Sequence, residues 1–357
     1  MSGWHGVFPS LPTPLDDEGR LRPEPLRKLV DRVIDAGVHG VTPLGSTGEL
    51  PYVSNAARRE AIEATVEAAA GRVPVVAGVG GFTVRDAVEQ ALAAAEAGVD
   101  GLLLVLLSYF PLSEAEIERY VAEVAGAVDL PICLYHHPGF CHVTFSPALV
   151  ERLAAIPRVD YMKDASGGLT HFHRADRYKQ AGLSLFAATA GSPTAAMLLG
   201  TAGWMSGPAC VFPAESAQMY ELVRAGRWED AVVLERALGG VLDSFRALGP
   251  SASVKALLRA DGLDFGSPVP PVADGKIDDP AAVLGDARRS LRRVLRRLGL
   301  STAQSAARRA ASGRASTGTT ASGRAAGKTT ATTRATGKRT APAKGKTKGT
   351  TTKRKKS

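Results

Sequence analysis

Short runs of β-branched residues and leucine alternate with longer Ala/Glu/Arg segments of helical period, and that alternation restricts the fold of this chain more than any other feature. Candidate strands are Val7–Leu11, Gly40–Pro43, Val73–Gly78, Gly101–Leu106, Pro131–Tyr135, Val159–Lys163, Ser184–Ala188 and Gly203–Ser206. A helical segment follows each: Glu24–Ala36, Asn55–Ala70, Val84–Ala97, Glu114–Ala127, Pro147–Ala155, Phe172–Gln180, Pro193–Leu199 and Ala214–Ala225. Parallel neighbouring strands need a crossover, and a helix is the ordinary one. Eight such units in series predict an α/β chain folded as a (β/α)8 TIM barrel, typically about 250 residues. An open doubly wound sheet competes, but no GxGxxG follows the first strand.

Helix ends carry their own signals. Ser113-Glu114-Ala115-Glu116 reads as a capping box, and Ser54 and Thr83 as N-caps. Ala36-Gly37 and Ala97-Gly98 are expected to end helices on a left-handed glycine.

Beyond the barrel, residues 227–300 predict a C-terminal helical extension with helices Glu229–Leu248, Val254–Asp261 and Pro280–Leu298. The Asp264–Asp279 stretch, rich in Pro and Gly, is an extended connection. The last helix pairs six arginines between Arg288 and Arg297 with Leu291, Val294, Leu295 and Leu298, the pattern of a packed helix with a basic solvated face. The predicted division is therefore barrel 1–226, extension 227–300 and tail 301–357.

The formal charge of +9 is a property of that tail. Residues 301–357 hold 15 of the 44 Lys and Arg and none of the 35 Asp and Glu, so residues 1–300 carry 29 basic against 35 acidic groups, a net −6. The tail has no aromatic residue and no Val, Ile, Leu or Met. It cannot bury enough apolar surface to offset its ordering entropy, so it is expected to be disordered. It resembles the Lys/Ala/Thr-rich tails of histone-like bacterial proteins, and a tail of this kind would contact nucleic acid or another polyanion without sequence preference.

Cys133, Cys141 and Cys210 show no CxxC and no metal-ligand spacing, and their apolar neighbours favour buried, reduced thiols in a cytoplasmic protein. The N-terminal decapeptide has no basic region followed by an apolar core, and no apolar stretch is long enough to cross a bilayer. His171 and His173 lack further ligands at a metal spacing, no GxSxG elbow is present, and the loops TAGSPT and SGPACVF contain no Lys or Arg that would favour a phosphorylated substrate.

In a (β/α)8 barrel the side chains at the C-terminal strand ends converge on one mouth. Three separate segments place reactive groups there: Ser46 and Thr47 in Gly45-Ser46-Thr47-Gly48-Glu49, Tyr135 at the end of its strand, and Lys163 in Tyr161-Met162-Lys163-Asp164-Ala165-Ser166-Gly167. A strand-end lysine by itself also snorkels to solvent. Desolvated, however, its amine loses its proton more readily and can attack a ketone, giving a Schiff base that stabilises an adjacent carbanion. Tyr135 would move protons, and the amides and hydroxyls of the Ser46/Thr47 turn could bind a carboxylate. An amine, a phenol and a hydroxyl turn together suit covalent chemistry on a keto acid, which requires no cofactor.

These segments resemble the dihydrodipicolinate synthase/N-acetylneuraminate lyase superfamily: GSTGE, the tyrosine of LYHHPG and the lysine of MKDASG, within a likeness running over most of residues 5–298. It includes Leu112-Ser113-Glu114 after Tyr109 and Val254-Lys255-Ala256-Leu257, and it excludes the tail. The resemblance implies a class I lyase or aldolase acting on pyruvate or a 2-keto acid, with an aldehyde as partner, in a homo-oligomer, usually a tetramer. By position, Lys163 matches the Schiff-base lysine, Tyr135 the general acid/base, and Ser46 and Thr47 the carboxylate and proton-relay turn. Tyr109 matches the tyrosine exchanged between subunits of a tight dimer. Gly191 matches the glycine of a loop near the keto acid, and Met205 a residue that contributes a backbone carbonyl.

One departure bears on specificity. Synthases that condense pyruvate with aspartate semialdehyde typically carry an Arg where this chain has Phe140, in Tyr135-His136-His137-Pro138-Gly139-Phe140. Phenylalanine cannot grip a carboxylate, so a less anionic aldehyde is expected, with His137 and Phe140 lining the specificity pocket. His136 replaces the usual Asn. The rivals are a sugar-acid dehydratase of the same chemistry, the lysine-pathway synthase itself, and a nucleic-acid-associated protein acting through its tail.

Overall fold

The computed structural model describes residues 3–188, 192–274 and 277–300. Seven parallel strands form one sheet: β1 (Gly6–Pro9), β2 (Val76–Val79), β3 (Gly101–Val105), β4 (Ile132–His136), β5 (Val159–Asp164), β6 (Ser184–Ala187) and β7 (Gly203–Ser206). Their order, β1-β7-β6-β5-β4-β3-β2, follows the chain around the sheet, with β1 and β2 left as edges. The fold is thus α/β with a curled parallel sheet and helical crossovers, a TIM-barrel-like arrangement.

The segment expected as a strand at Gly40–Pro43 does not make a regular ladder. It contributes two isolated parallel bridges, Ser10 with Thr42 and Val41 with Val75. It nevertheless joins the two edges: Thr42 N–H donates to Pro9 O and Val41 N–H to Pro74 O, while Val76 and Gly78 donate to Val41 O and Pro43 O. Pro9, Pro43 and Pro74 lie along this seam and cannot donate, which shortens the ladder. Gly40 is needed for packing, because a Cβ there would lie 2.0 Å from the Phe8 ring.

Inside the sheet, Trp4 stacks on Tyr161 at 4.4 Å between ring centroids, and Phe8 meets Phe186 edge-on at 5.4 Å. Tyr161 Oη also accepts from Trp4 N–H at 2.8 Å, tying the N-terminal segment to β5.

The capping signals are realised. Ser54, Thr83 and Ser113 accept from the amides three residues on, and Ser113 and Glu116 form the reciprocal box. Gly37 and Gly98 take positive φ after their helices. Past the sheet the single helix expected over Glu229–Leu248 is two, Trp228–Ala237 and Gly239–Leu248, broken at Leu238 just before the helix-weakening Gly239 and Gly240. The next helix starts at Pro250, four residues before the predicted Val254, since proline serves well in a first helical turn. Pro280–Arg297 buries Leu284, Ala287, Leu291 and Leu295; of the expected stripe, Leu291 and Leu295 are buried while Val294 and Leu298 are half-buried. Short helices at Pro138–Cys141 and Pro208–Val211 are too brief for periodicity to reveal. All three cysteines are free and buried. Among the described residues no helix is long and apolar enough to cross a membrane. The tail 301–357, expected to be disordered, lies outside the described residues.

Candidate active site

β4 and β5 pair in parallel with Tyr135 opposite Lys163, so the phenol and the amine emerge side by side at the strand ends. Lys163 is only 4% exposed. Its Nζ donates to Ser10 Oγ at 3.3 Å and sits 4.8 Å from the centroid of the Tyr135 ring. Burial drives its pKa down from 10.5 to about 8, against a smaller opposing influence of Cys133. Burial also pushes the Cys133 thiol up to about 12, so this neighbour stays protonated and does not compete as a nucleophile.

Tyr135 is likewise buried, and burial raises its phenol well above the ordinary tyrosine range, offset in part by its hydrogen bond with Ser46. Ser46 Oγ donates to Tyr135 Oη at 3.0 Å. The phenol therefore keeps its proton at neutral pH, with the Ser46 hydroxyl hydrogen-bonded beside it.

The turn that presents Ser46 is built from strained backbone. Leu44 and Glu49 adopt left-handed φ of 60° and 58°, unusual for residues with side chains. Four hydrogen bonds hold it. Thr13 Oγ1 donates to Gly48 O at 2.7 Å, Leu50 N–H donates to Gly45 O at 3.4 Å, and the buried Glu49 carboxylate accepts from Lys255 Nζ at 2.5 Å and from Val269 N–H at 2.8 Å. Lys255 Nζ also donates to Ser267 O at 2.9 Å. The C-terminal helix Pro250–Ala260 thereby holds the Ser46/Thr47 turn through an ion pair buried from water. Gly78 completes the fit, since a Cβ there would lie 1.9 Å from Leu44 O. Thr47 is buried next to Gly207, whose added Cβ would come within 3.1 Å of Thr47 Oγ1.

Behind the site, His136 Nε2 accepts from Phe145 N–H at 3.1 Å, so Nδ1 carries the proton and donates to Asp164 Oδ1 at 2.8 Å. Ser166 N–H and Oγ donate to the same carboxylate. His171, buried against His136, contacts Tyr178 Oη through Nδ1 at 3.1 Å. Ligand atoms of His136, Asp164 and His171 lie within 4.8 Å of one another. Both His136 nitrogens are engaged, however, and the set reads as a hydrogen-bonded clamp joining β4 to the loop after Lys163.

His137 caps the short helix Pro138–Cys141 through Nδ1, and its ring stacks on Phe140 at 3.8 Å with 4° between the planes. The His137 ring also stands 5.8 Å from that of Tyr135. Phe140 is half exposed and lines a cavity of about 450 Å³ that also reaches Ser46. Met205 is fully buried in β7, opposite Phe8 of β1. Tyr109 is not brought to this group within one chain: it is 83% exposed and packs edge-on with Phe110. Gly191 lies outside the described residues. Sequence reasoning missed Ser10 as the partner of Lys163 and Lys255 as the anchor of Glu49. Contacts separated by 153 and 206 residues leave no local pattern.

The fold thus gathers a buried amine, a phenol and a hydroxyl turn at the C-terminal strand ends of a curled parallel sheet, where barrel enzymes place their sites. The model of the dihydrodipicolinate synthetase family matches residues 4–284, and the chain belongs to that family. It is 33% identical over 288 residues to an uncharacterized DapA-like lyase of Halobacterium salinarum, covering 80% of this chain and 93% of that protein. It is 32% identical over 300 residues to a 4-hydroxy-tetrahydrodipicolinate synthase of Methanopyrus kandleri, covering 83% and 96%. Among solved structures, dihydrodipicolinate synthase of Agrobacterium tumefaciens superposes with a TM-score of 0.73 at 30% identity, covering 81% of this chain and 98% of that one.

Proposed function

We propose that this lyase forms a Schiff base through Lys163 and acts on pyruvate plus an aldehyde, or on the 2-keto acid that the pair would form. The observation that carries this reading is the Lys163 amine, buried with its pKa near 8 beside Tyr135. At that value a substantial fraction is neutral at cellular pH, whereas an ordinary lysine is almost wholly protonated.

Nζ attacks the keto carbon while the Ser46/Thr47 turn holds the substrate carboxylate. The resulting carbinolamine hydroxyl takes a proton from Tyr135 and leaves as water, and the iminium draws electrons from the adjacent carbon. In the synthetic direction, loss of a methyl proton gives an enamine whose carbon attacks the aldehyde. In cleavage the carbon–carbon bond breaks and the aldehyde departs. Ser46, hydrogen-bonded to Tyr135, returns the proton between steps. Release of product by water restores the amine. Tyr109 stands exposed on its own chain, so its expected exchange into a neighbour's site requires a homo-oligomer, as the family likeness implies.

Relatives named as 4-hydroxy-tetrahydrodipicolinate synthases favour a second reading, condensation with aspartate semialdehyde. Phe140, stacked on His137 where an Arg is expected, argues against it, because the stacked pair offers no fork for a carboxylate.

Borohydride reduction in the presence of pyruvate, followed by mass mapping, tests the primary reading. A pyruvate-derived adduct is expected on Lys163, absent in Lys163→Ala. Tyr135→Phe should lower turnover by about 10²-fold or more while the adduct still forms slowly. An adduct on a different lysine would remove the proposal, and full turnover by Tyr135→Phe would remove the proton-transfer role.

A further inference from the structure

Arginines elsewhere on the surface mostly hold a carboxylate, as Arg20, Arg22, Arg72, Arg152 and Arg259 do. The face shared by helices Trp228–Ala237 and Pro280–Arg297 departs from this. Among the described residues Arg236, Arg292, Arg293, Arg296 and Arg297 are exposed, and none of them forms an ion pair. Arg293 donates to Ser290 Oγ at 3.3 Å. Arg236 and Arg293 line one groove of about 320 Å³ between the two helices, together with Val233, Ala237, Ser290 and Val294. Neighbouring carboxylates are committed elsewhere. Glu235 accepts from Thr194 N–H at 2.9 Å, Asp230 pairs with Arg227, Asp286 with Arg289, and Asp261 with Arg32 and Arg288. Glu229, in the first turn of Trp228–Ala237, is exposed and pairs with none of the five.

Two ordinary uses of such arginines fall short. Cations near a helix C-terminus offset its negative end, but that effect fades within a turn and covers only Arg296 and Arg297. A face kept for solubility mixes both signs, whereas residues 287–300 hold six arginines and no Asp or Glu. We infer that this face is a docking surface for nucleic acid, gripping phosphates without reading sequence. Arg292/Arg296 and Arg293/Arg297 repeat at i, i+4, which sets guanidinium groups about 6 Å apart along one side of the helix. The guanidinium fork matches phosphate oxygens. Residues 280–300 include no Asn, Gln or aromatic residue to read a base or stack on it. A bilayer is the poorer partner, because Leu284, Ala287, Leu291 and Leu295 are buried and leave no apolar face to enter it. The chain continues from this helix into residues 301–357, with 15 Lys and Arg and no Asp or Glu, so both would draw the same class of partner. The inference is independent of the Schiff-base reading.

The test is a salt series of DNA binding by the full chain, because so few cations alone hold DNA weakly. Duplexes of differing sequence are compared, with circular dichroism as the check on folding. Arg292→Gln, Arg293→Gln, Arg296→Gln and Arg297→Gln combined should reduce the steepness of log affinity against log salt by about 2 to 4, alike for every sequence. The same four changed to Lys should keep it near native. Arg293→Gln with Arg296→Gln should reduce it by about 1 to 2. Lys28→Gln with Arg85→Gln, which removes as much charge from two other helices, should leave it unchanged. Inorganic polyphosphate and phosphatidylglycerol vesicles serve as the other anions. Native steepness in the folded fourfold variant, an equal loss in the two double variants, or tighter binding to either other anion than to DNA overturns the inference.

Discussion

Ser10→Asp is the most direct probe of the Lys163 environment. Ser10 Oγ lies 3.3 Å from Nζ, so the substitution sets a carboxylate against the amine in a site closed to water. In the native protein, burial lowers the amine from 10.5 to about 8, a discrimination against the ammonium form of about 3 kcal/mol. A neighbouring carboxylate favours the ammonium and raises a lysine pKa by about one to three pH units. The midpoint should therefore move from about 8 to between about 9 and 11. At pH 7.5 the neutral fraction then falls from about a quarter to about 3% or less, so adduct formation slows about 10-fold or more and recovers in alkali. The assay is the initial rate of the borohydride-trapped pyruvate adduct between pH 6 and 11, checked for folding by circular dichroism. Ser10→Asn, of equal size and without charge, should keep a midpoint near the native one. If folded Ser10→Asp retains the native midpoint, ionisation of the buried amine is not what gates the reaction.

Lys255→Met should destabilise the protein by about 3–5 kcal/mol in urea unfolding, because it strands the Glu49 carboxylate in a dry interior. Adding Glu49→Gln should recover part of that loss, and a double variant no better than the single one would contradict the argument. Phe140→Arg should improve turnover of aspartate semialdehyde relative to an uncharged aldehyde, read as the ratio of the two kcat/KM values; an unmoved ratio would mean that Phe140 does not set charge preference. The tail can be tested by DNA binding of the full chain and of a chain ending at residue 300. Only the full chain should bind, with an affinity that falls steeply as salt rises. Equal, salt-insensitive binding by both would discard the polyanion role.

Alternation, helix caps and strand-end chemistry were legible in the sequence because they are local. Ser113 and Glu116 are three residues apart, and the apolar stripe of Pro280–Arg297 repeats within one element. The sequence also pointed to Lys163, Tyr135 and Ser46 as candidates, since each ends an apolar run at the place where a parallel barrel gathers its strand ends, and the fold sets Tyr135 beside Lys163 and Ser46. Tertiary structure decided the rest. It reduced Gly40–Pro43 to two bridges along a proline-lined seam. It set Ser10 against the amine and tied Glu49 to Lys255. Whether an amine is wet or dry depends on groups far apart along the chain, and no short-range pattern records their meeting.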